Sequence, residues 1–333
     1  MARTFSAILI RLASPLALCL ATLAPQAASA DDAWPSRPIR MIVPFSAGGG
    51  TDIFARSAAQ KLMDIWGQSV VVDDRAGGNG TIGTDAVAKA PPDGYTLLLT
   101  TNATIVINPH LSKQPYDPFR DLAPISMPVT LPFALLVNPK FPAKTFAELV
   151  ALIKAQPGKL NFGSSGIGGG AHLAGEMMNL MGKLDTVHVP YKGVAPGLTA
   201  LIGGEIQFMF ASVYSATPMV ETNRLRILAV SSAKRIPAMP DVPAVAEAPG
   251  FAGFESDLWY GVFAPAKTDP KIVDKVYQDL KKVIFEPEFR KTSDGGGMVT
   301  VGNTPTEFAV KMREDSARWD ALIKKMGNRL KTD

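Results

Sequence analysis

The chain has a single cysteine, Cys19, among its 333 residues. Residues 31–333 contain none, so that part of the chain cannot form an internal disulfide and its stability must come from its hydrophobic core. Histidine is also scarce, and the three residues at positions 110, 172 and 188 do not have the spacing of a metal site. We therefore expect neither a metal nor a cofactor.

Charge of one sign is not in excess either. The chain has 34 basic and 30 acidic residues, and they are scattered without a basic stripe or alternating aromatic and basic side chains. This distribution argues against nucleic acid as a partner.

The first 30 residues have the composition of an export signal. They contain Arg3 and Arg11 but no acidic residue, and an apolar run spans residues 12–24. Ala28-Ser29-Ala30 then fits an A-x-A cleavage site. The run is too short to span a bilayer comfortably, and Cys19 lies too deep in it for lipid attachment. We expect residues 1–30 to be a cleavable signal peptide and the exported mature protein to begin at Asp31.

Two glycine-rich turns each join a predicted strand to a predicted helix. The first follows Ile39–Val43 and contains Gly48–Gly50, and the second follows Leu160–Phe162 and contains Gly168–Gly170. A helix that starts at such a turn presents backbone N–H groups without partners, which favours an anion. Neither turn contains Lys or Arg. The pattern predicts that backbone amides of Ala47–Asp52 and Ser164–Gly169 hold one small acidic ligand.

Other uses of these turns fit the sequence less well. A nucleotide P-loop needs Gly-Lys before Ser or Thr, which both turns lack. Residues 166–171 fit G-x-G-x-x-A, but the next predicted strand ends at residues 189–191 without the acid that would hold a ribose. Ile167 breaks the G-x-S-x-G pattern of a nucleophilic serine.

Two polar residues in the turns have structural interpretations. His172 stands near Ser165 and would be the base of a hydrolase, but its place in a first helical turn favours local bonding and packing. Asp52 opens the first helix, where a carboxylate caps free N–H groups and shapes the turn around a ligand. We do not expect either residue to be catalytic.

Predicted strands and helices alternate along the chain, which indicates largely parallel sheets covered by helices. Pro-rich bridges at residues 108–132 and 237–249 interrupt this alternation. They predict two lobes, the first made of residues 31–131 and 257–333 and the second of residues 132–256. A cleft between two α/β lobes is a common ligand site.

In its motifs and their order the chain resembles the substrate-binding receptors of the tripartite tricarboxylate transporters, also called the Bug family. The motifs that carry this resemblance include Trp34–Arg40, Val43–Asp52, Arg75–Gly80, Gly163–Glu176, Val189–Gly193 and Trp259–Pro265. They cover essentially the whole chain after residue 30. The resemblance implies an α/β periplasmic binding protein of type II, with two Rossmann-like lobes joined by two crossings and no catalytic activity.

The resemblance also implies a ligand site. In the first turn it would include Phe45, Ser46, Ala47, Gly48, Gly49 and Asp52. In the second turn it would include Ser164, Ser165, Gly166, Gly168, Gly169 and His172. The far end of the ligand would be read by Thr101, Asn102, Phe210, Ala211 and Ser212. We expect the lobes to close on the ligand by a hinge at crossings near Leu131 and Asp257.

The ligands of such receptors are carboxylates, either di- and tricarboxylates, acidic amino acids or aromatic acids. Ala211 stands where many members have Asp, which disfavours an amino-acid ligand. The implied partners are the subunits of a membrane transporter, and we expect a monomer. Two alternatives stay open, a secreted α/β hydrolase and a periplasmic partner of a sensor kinase.

Overall fold

The computed structural model describes residues 34–191, 193–295 and 297–327, so the expected signal peptide lies outside it. The strands are β1 (Ile39–Val43), β2 (Val70–Asp74), β3 (Thr96–Thr101), β4 (Leu122–Leu131), β5 (Phe133–Val137), β6 (Asn161–Ser164), β7 (Val187–Pro190), β8 (Phe208–Ser212), β9 (Arg226–Val230), β10 (Leu258–Pro265) and β11 (Val299–Thr300). The helices are α1 (Gly50–Trp66), α2 (Thr81–Ala88), α3 (Asn108–Leu111), α4 (Pro118–Asp121), α5 (Phe146–Ala155), α6 (Gly170–Gly182), α7 (Val194–Gly203), α8 (Val213–Glu221), α9 (Pro270–Phe285), α10 (Pro287–Gly295) and α11 (Pro305–Met326). None of the helices in these ranges is long and apolar enough to cross a membrane.

The strands form two separate sheets. The first sheet has the order β11-β4-β10-β3-β1-β2 and the second has the order β7-β6-β8-β5-β9. In the first sheet β1 runs parallel to β2 and β3, while β10 is antiparallel to β3 and β4. In the second sheet β6 runs parallel to β7 and β8, while β5 is antiparallel to β8 and β9. Both sheets are therefore mixed, rather than largely parallel as the sequence predicted.

Strand β4 accounts for much of the antiparallel pairing in the first sheet that the sequence did not predict. This ten-residue strand lies within the stretch that its prolines marked as a bridge. Proline cannot donate to a ladder and is tolerated mainly in edge strands. Because β11 pairs only with Val129 and Thr130, most of β4 is an edge, and Pro124 and Pro128 fit there.

The chain passes between the sheets twice. It leaves the first sheet at Leu131 and enters the second at Phe133, so the first crossing is the single residue Pro132. The second sheet ends with β9 at Val230, and the chain returns to the first sheet at Leu258. Irregular chain between these points packs through Phe251 and Phe254, which are both buried.

Helix α11 contributes to the packing between the two halves of the molecule, each built on one sheet. Thr304 and Glu307 form a capping box at its start, and Pro305 occupies its first turn. Its Phe308 and Trp319 belong to one apolar cluster with Met177 of α6, on the other side of the cleft. Burial of large apolar side chains is the main source of stability, so this cluster stabilises the contact between the two halves.

Candidate ligand-binding site

The first glycine turn links β1 to α1 and is held from within by Asp52. One carboxylate oxygen, Oδ2, accepts the N–H of Gly48 at 2.7 Å, and Oδ1 lies 2.6 Å from Nε of Arg56. Asp52 is 3% exposed, and Gly48 has a φ of +80°, which an L-residue rarely adopts. Asp52 therefore has the loop-shaping geometry expected of it, and its carboxylate faces the turn.

The first turn of α1 has N–H groups without an acceptor in the helix. The first intrahelical bond runs from the N–H of Ile53 to the carbonyl of Gly49, at 3.0 Å. Because a helix leaves its first N–H groups without internal acceptors, those of Gly50, Thr51 and Asp52 have none within α1. The preceding residues, Ser46–Gly50, are exposed. This helix end is open to an anion.

The second glycine turn links β6 to α6 and has a similar internal anchor. The N–H of Gly168 donates to Nδ1 of His172 at 3.0 Å, and the N–H of Gly166 donates to Oγ of Ser164 at 3.2 Å. Gly166 and Gly168 have φ values of +141° and +75°. Gly169 caps α6, and its carbonyl accepts the N–H of Leu173 at 3.0 Å. The N–H groups of Gly170, Ala171 and His172 therefore have no acceptor within α6.

These contacts narrow the set of amides that can bind a ligand. The N–H groups of Gly48, Gly166 and Gly168 already donate within their own turns. Donors without an acceptor in their helix lie in the first turns of α1 and α6. Gly50–Asp52 of α1 fall within the predicted range Ala47–Asp52, whereas Gly170–His172 of α6 directly follow the predicted range Ser164–Gly169. Ser165, which is partly exposed, adds a side-chain hydroxyl beside the second set.

Two stacked imidazoles lie behind the second turn. The rings of His172 and His188 are 3.7 Å apart between centroids and 14° from parallel. Nε2 of His188 lies 2.6 Å from Oγ of Ser164. Burial lowers the pKa of His172 to about 4, and burial together with the neighbouring His172 lowers that of His188 to about 3. Both rings are neutral at neutral pH.

The contact between Ser164 and His188 does not form a catalytic pair. Ser164 has no exposed surface, so a substrate cannot reach its hydroxyl. Within residues 34–191, 193–295 and 297–327, no three His, Cys, Asp or Glu side chains are grouped to hold a metal ion.

Strand direction brings the expected site residues to shared edges. Because β1 and β3 are parallel, the first turn and Asn102 leave the first sheet at the same edge. Because β6 and β8 are parallel, the second turn and Ser212 leave the second sheet at one edge. Tyr260 pairs with Thr101 and Phe133 pairs with Ser212, so both crossings reach these same edges. Both crossings thus connect the edge that carries the first turn to the edge that carries the second.

The expected far-end residues of the first lobe lie at the end of β3. Thr101 and Asn102 are both buried, with 6% and 3% exposure. The side-chain amide of Asn102 donates through Nδ2 to the carbonyl of Asp257 at 2.9 Å. Its Oδ1 is buried without a hydrogen-bond partner, so Asn102 keeps an unused acceptor at the cleft.

The expected far-end residues of the second lobe have different surroundings. Phe210 is fully buried and stacks on Phe254 with ring centroids 6.2 Å apart. Ala211 points to the opposite side of β8 and is buried in the apolar cluster there. Ser212 is partly exposed and caps α8 by accepting the N–H of Ser215 at 3.3 Å. Of these three, only Ser212 presents a polar side chain at the edge.

A buried carboxyl group joins the two crossings. Oδ1 of Asp257 accepts the hydroxyl of Ser231 at 2.7 Å, and the Ser231 oxygen accepts the N–H of Phe133 at 2.8 Å. Burial raises the pKa of Asp257 to about 7, with a further contribution from the charge of Glu255. The Ser231 hydrogen bond and the cations Lys311 and Arg318 act in the opposite direction.

Sequence reasoning missed His188 and Asp257 as site residues. His188 lies in the short strand β7, and the parallel pairing of β7 with β6 brings it to Ser164. Asp257 was named as the place of the second crossing, but its burial and its bond to Ser231, which lies 26 residues earlier, were not predicted.

The lobes touch at the rim of the cleft. A Cβ atom added to Gly168 would lie 3.3 Å from Cδ1 of Leu111 in the first lobe. A Cβ added to Gly297 would overlap Cγ1 of Val213 in the second lobe. Both glycines have positive φ, so both the backbone conformation and the space favour glycine.

Comparison with known proteins identifies the family. The profile described as "Tripartite tricarboxylate transporter family receptor" matches residues 54–328. Protein BugT of Bordetella pertussis (strain Tohama I) is 35% identical over 323 residues, which cover 96% of this chain and 99% of BugT.

Solved structures agree with this match. The periplasmic binding protein BugD is 34% identical with a TM-score of 0.74, covering 88% of this chain and 99% of BugD. A protein of R. palustris with adipate is 32% identical with a TM-score of 0.77, covering 88% of this chain and 98% of its own. MatC from Rhodopseudomonas palustris with bound malate is 28% identical with a TM-score of 0.73, covering 86% and 99%.

These neighbours confirm the expected two-lobed α/β fold of a periplasmic binding protein. Members of the matched family are receptors for substrates, not enzymes, which removes the hydrolase alternative. The chain belongs to the tripartite tricarboxylate transporter receptor family.

Proposed function

We propose that this protein captures a small carboxylate in the periplasm, between its two lobes, and delivers it to a membrane transporter of the tripartite tricarboxylate type. The observation that carries the proposal is the pair of helix N-termini at the sheet edges that the crossings connect, each with N–H groups that have no acceptor in the helix. The adipate and malate bound in two related structures support a carboxylate ligand.

The energetics of the site are consistent with this function. A hydrogen bond from a backbone N–H to a charged group contributes roughly 1.5–3 kcal/mol. Micromolar binding needs about −8 kcal/mol, so a few such bonds from the first turns of α1 and α6 are sufficient. The partial positive charge at each helix N-terminus adds to the attraction.

The ligand class is a di- or tricarboxylate or an aromatic acid. Asn102 and Ser212 lie at the strand ends where the far end of the ligand would be recognised, and the hydroxyl-bearing Ser212 is partly exposed. The first 30 residues would direct export, and the mature receptor, a monomer that begins at Asp31, would contact the transporter subunits.

Calorimetry with matched pairs of ligands tests the proposal. We would titrate adipate, malate, citrate and benzoate, each against the corresponding amide. At least one acid should bind with a micromolar dissociation constant, and its amide should bind at least about a hundredfold more weakly, because the amide NH₂ is a donor facing donors. Recovery of the acid unchanged after incubation is the control against catalysis. Equal binding of acid and amide would contradict the amide-based site.

A further inference from the structure

The second turn depends on an imidazole in one protonation state. Nδ1 of His172 accepts the N–H of Gly168 at 3.0 Å, which a protonated Nδ1 cannot do. The single proton of the neutral ring therefore sits on Nε2, which lies 4.0 Å from Oε1 of Glu176. His172 has no exposed surface.

The neighbouring ring holds the start of the same turn. Nε2 of His188 is 2.6 Å from Oγ of Ser164. That oxygen also accepts the N–H of Gly166 at 3.2 Å, and its hydroxyl is 2.9 Å from the carbonyl of Gly166. His188 thus acts on the Gly166 end of the turn through Ser164, while His172 acts directly on Gly168.

Stacking fixes the two rings relative to each other. The imidazoles are 3.7 Å apart, and the ring of Phe162 lies 4.9 Å from His188 and 6.2 Å from His172 between centroids. Phe162 belongs to β6, the strand from which the turn departs. The strand, the two rings and the turn are therefore one connected unit.

We propose that His172 and His188 are positioning residues that hold the second turn in the shape needed to direct the first N–H groups of α6 at the ligand. This inference rests on the proposed function for the direction of its effect on binding. The hydrogen bonds to Gly168 and Ser164 are the contacts that do the positioning, and neither ring needs to touch the ligand.

Reciprocal amide substitutions test the proposal at the level of single ring atoms. An asparagine oxygen takes roughly the place of Nδ1, whereas the end of a glutamine side chain takes roughly the place of Nε2. His172→Asn should therefore keep an acceptor for Gly168, and His172→Gln should lose it. The pattern inverts at the second ring, where His188→Gln should keep the contact to Ser164 and His188→Asn should lose it.

The first measurement is amide hydrogen exchange without any added acid. Exchange at Gly168 should be at least about tenfold faster in His172→Gln than in His172→Asn, because one hydrogen bond is lost. Exchange at Gly166 should show the reversed order for the two His188 variants. Gly48, whose N–H is held by Asp52 in the other lobe, is the internal control for general loosening of the fold.

The second measurement is the binding of adipate and malate to the same four variants. His172→Gln and His188→Asn should bind at least about tenfold more weakly than their matched partners. If neither acid binds the wild-type protein, citrate or benzoate takes their place in this comparison. If none of the four binds, the proposed ligand class fails, and the exchange pattern still decides whether the rings position the turn.

Two results would overturn the positioning role. One is equal exchange at Gly168 in His172→Asn and His172→Gln while Gly48 stays protected. The other comes from nitrogen NMR of the wild-type imidazoles at pH 7, which is decisive even if a variant fails to fold. We expect an unprotonated Nδ1 on His172, coupled to the amide of Gly168, and a protonated Nδ1 would refute the geometry.

Discussion

Replacement of Asp257 by asparagine should stabilise the protein at alkaline pH. Asp257 accepts the hydroxyl of Ser231 at the junction of the two crossings, and burial raises its pKa to about 7. An asparagine oxygen can accept the same bond without carrying a charge. The substitution therefore removes the penalty of a buried charge and leaves the Ser231 contact in place.

The magnitude follows from the pKa in the two states. The pKa of Asp257 is about 7 in the folded protein, against an ordinary value of 3.8 for an aspartate in the unfolded chain. The folded state therefore holds the proton more tightly, and its stability decreases as the pH rises from about 3.8 to 7 and is constant above. A difference of about 3 pH units corresponds to about 4 kcal/mol. Because Asp257 is partly exposed, solvent screens its charge, and we reduce the expected loss of stability to ~2 kcal/mol.

Urea unfolding at pH 4.5 and pH 8 measures the effect. Asp257→Asn should exceed the wild-type free energy of unfolding by ~2 kcal/mol at pH 8 and by only about 0.5–1 kcal/mol at pH 4.5, where the unfolded chain has begun to ionise at this residue but the folded protein has not. Groups that both proteins share, such as His172, cancel in the difference. Glu314→Gln, at an exposed position of α11, is the matched control and should show no such pH dependence. An equal or lower stability of the Asp257 variant at pH 8 would refute the reasoning.

Two further predictions concern the glycine turns, and a third concerns residues 1–30. Gly168→Val should weaken binding of the tightest acid by at least about a hundredfold in calorimetry, because the φ of Gly168 is +75° and Leu111 is adjacent. Ser165→Ala should weaken the same binding only about fivefold. Similar losses in the two variants would contradict a site held by backbone amides. Asp52→Ala should lower the free energy of unfolding by about 1–3 kcal/mol, since the N–H of Gly48 loses its acceptor and Arg56 its partner, with exposed Asp64→Ala as the control. Protein exported from a bacterial host should have the intact mass of a chain that begins at Asp31. A lipid-modified or uncleaved species would show that the prediction of a cleaved signal peptide over residues 1–30 is wrong.

The sequence by itself determined the elements that depend on local chemistry. Glycine runs that follow apolar segments predicted both turns, and the structure places each between a strand and a helix, at β1–α1 and β6–α6. The family was also evident from motif order alone, and the comparisons confirm it. Such features are readable because backbone conformation and helix starts depend on residues close together in the chain.

Tertiary structure alone decided which groups are free to bind. Gly48 and Gly168 were expected to offer their N–H groups, but Asp52 and His172 fold back and take them. The proline-rich segment before Pro132 became strand β4 because β10 lies beside it, although β10 is more than a hundred residues later in the chain.

His188 and Asp257 show the same limit. His188 reaches Ser164 only through the pairing of β6 with β7, and Asp257 is desolvated only where the two crossings meet. Hydrogen-bond partners and burial are set by residues distant in sequence, and no periodicity or spacing in the chain encodes them directly. The sequence thus located the two glycine turns, while the packing of the fold determined which of their N–H groups are already bonded, which side chains anchor them and how Asp257 ionises.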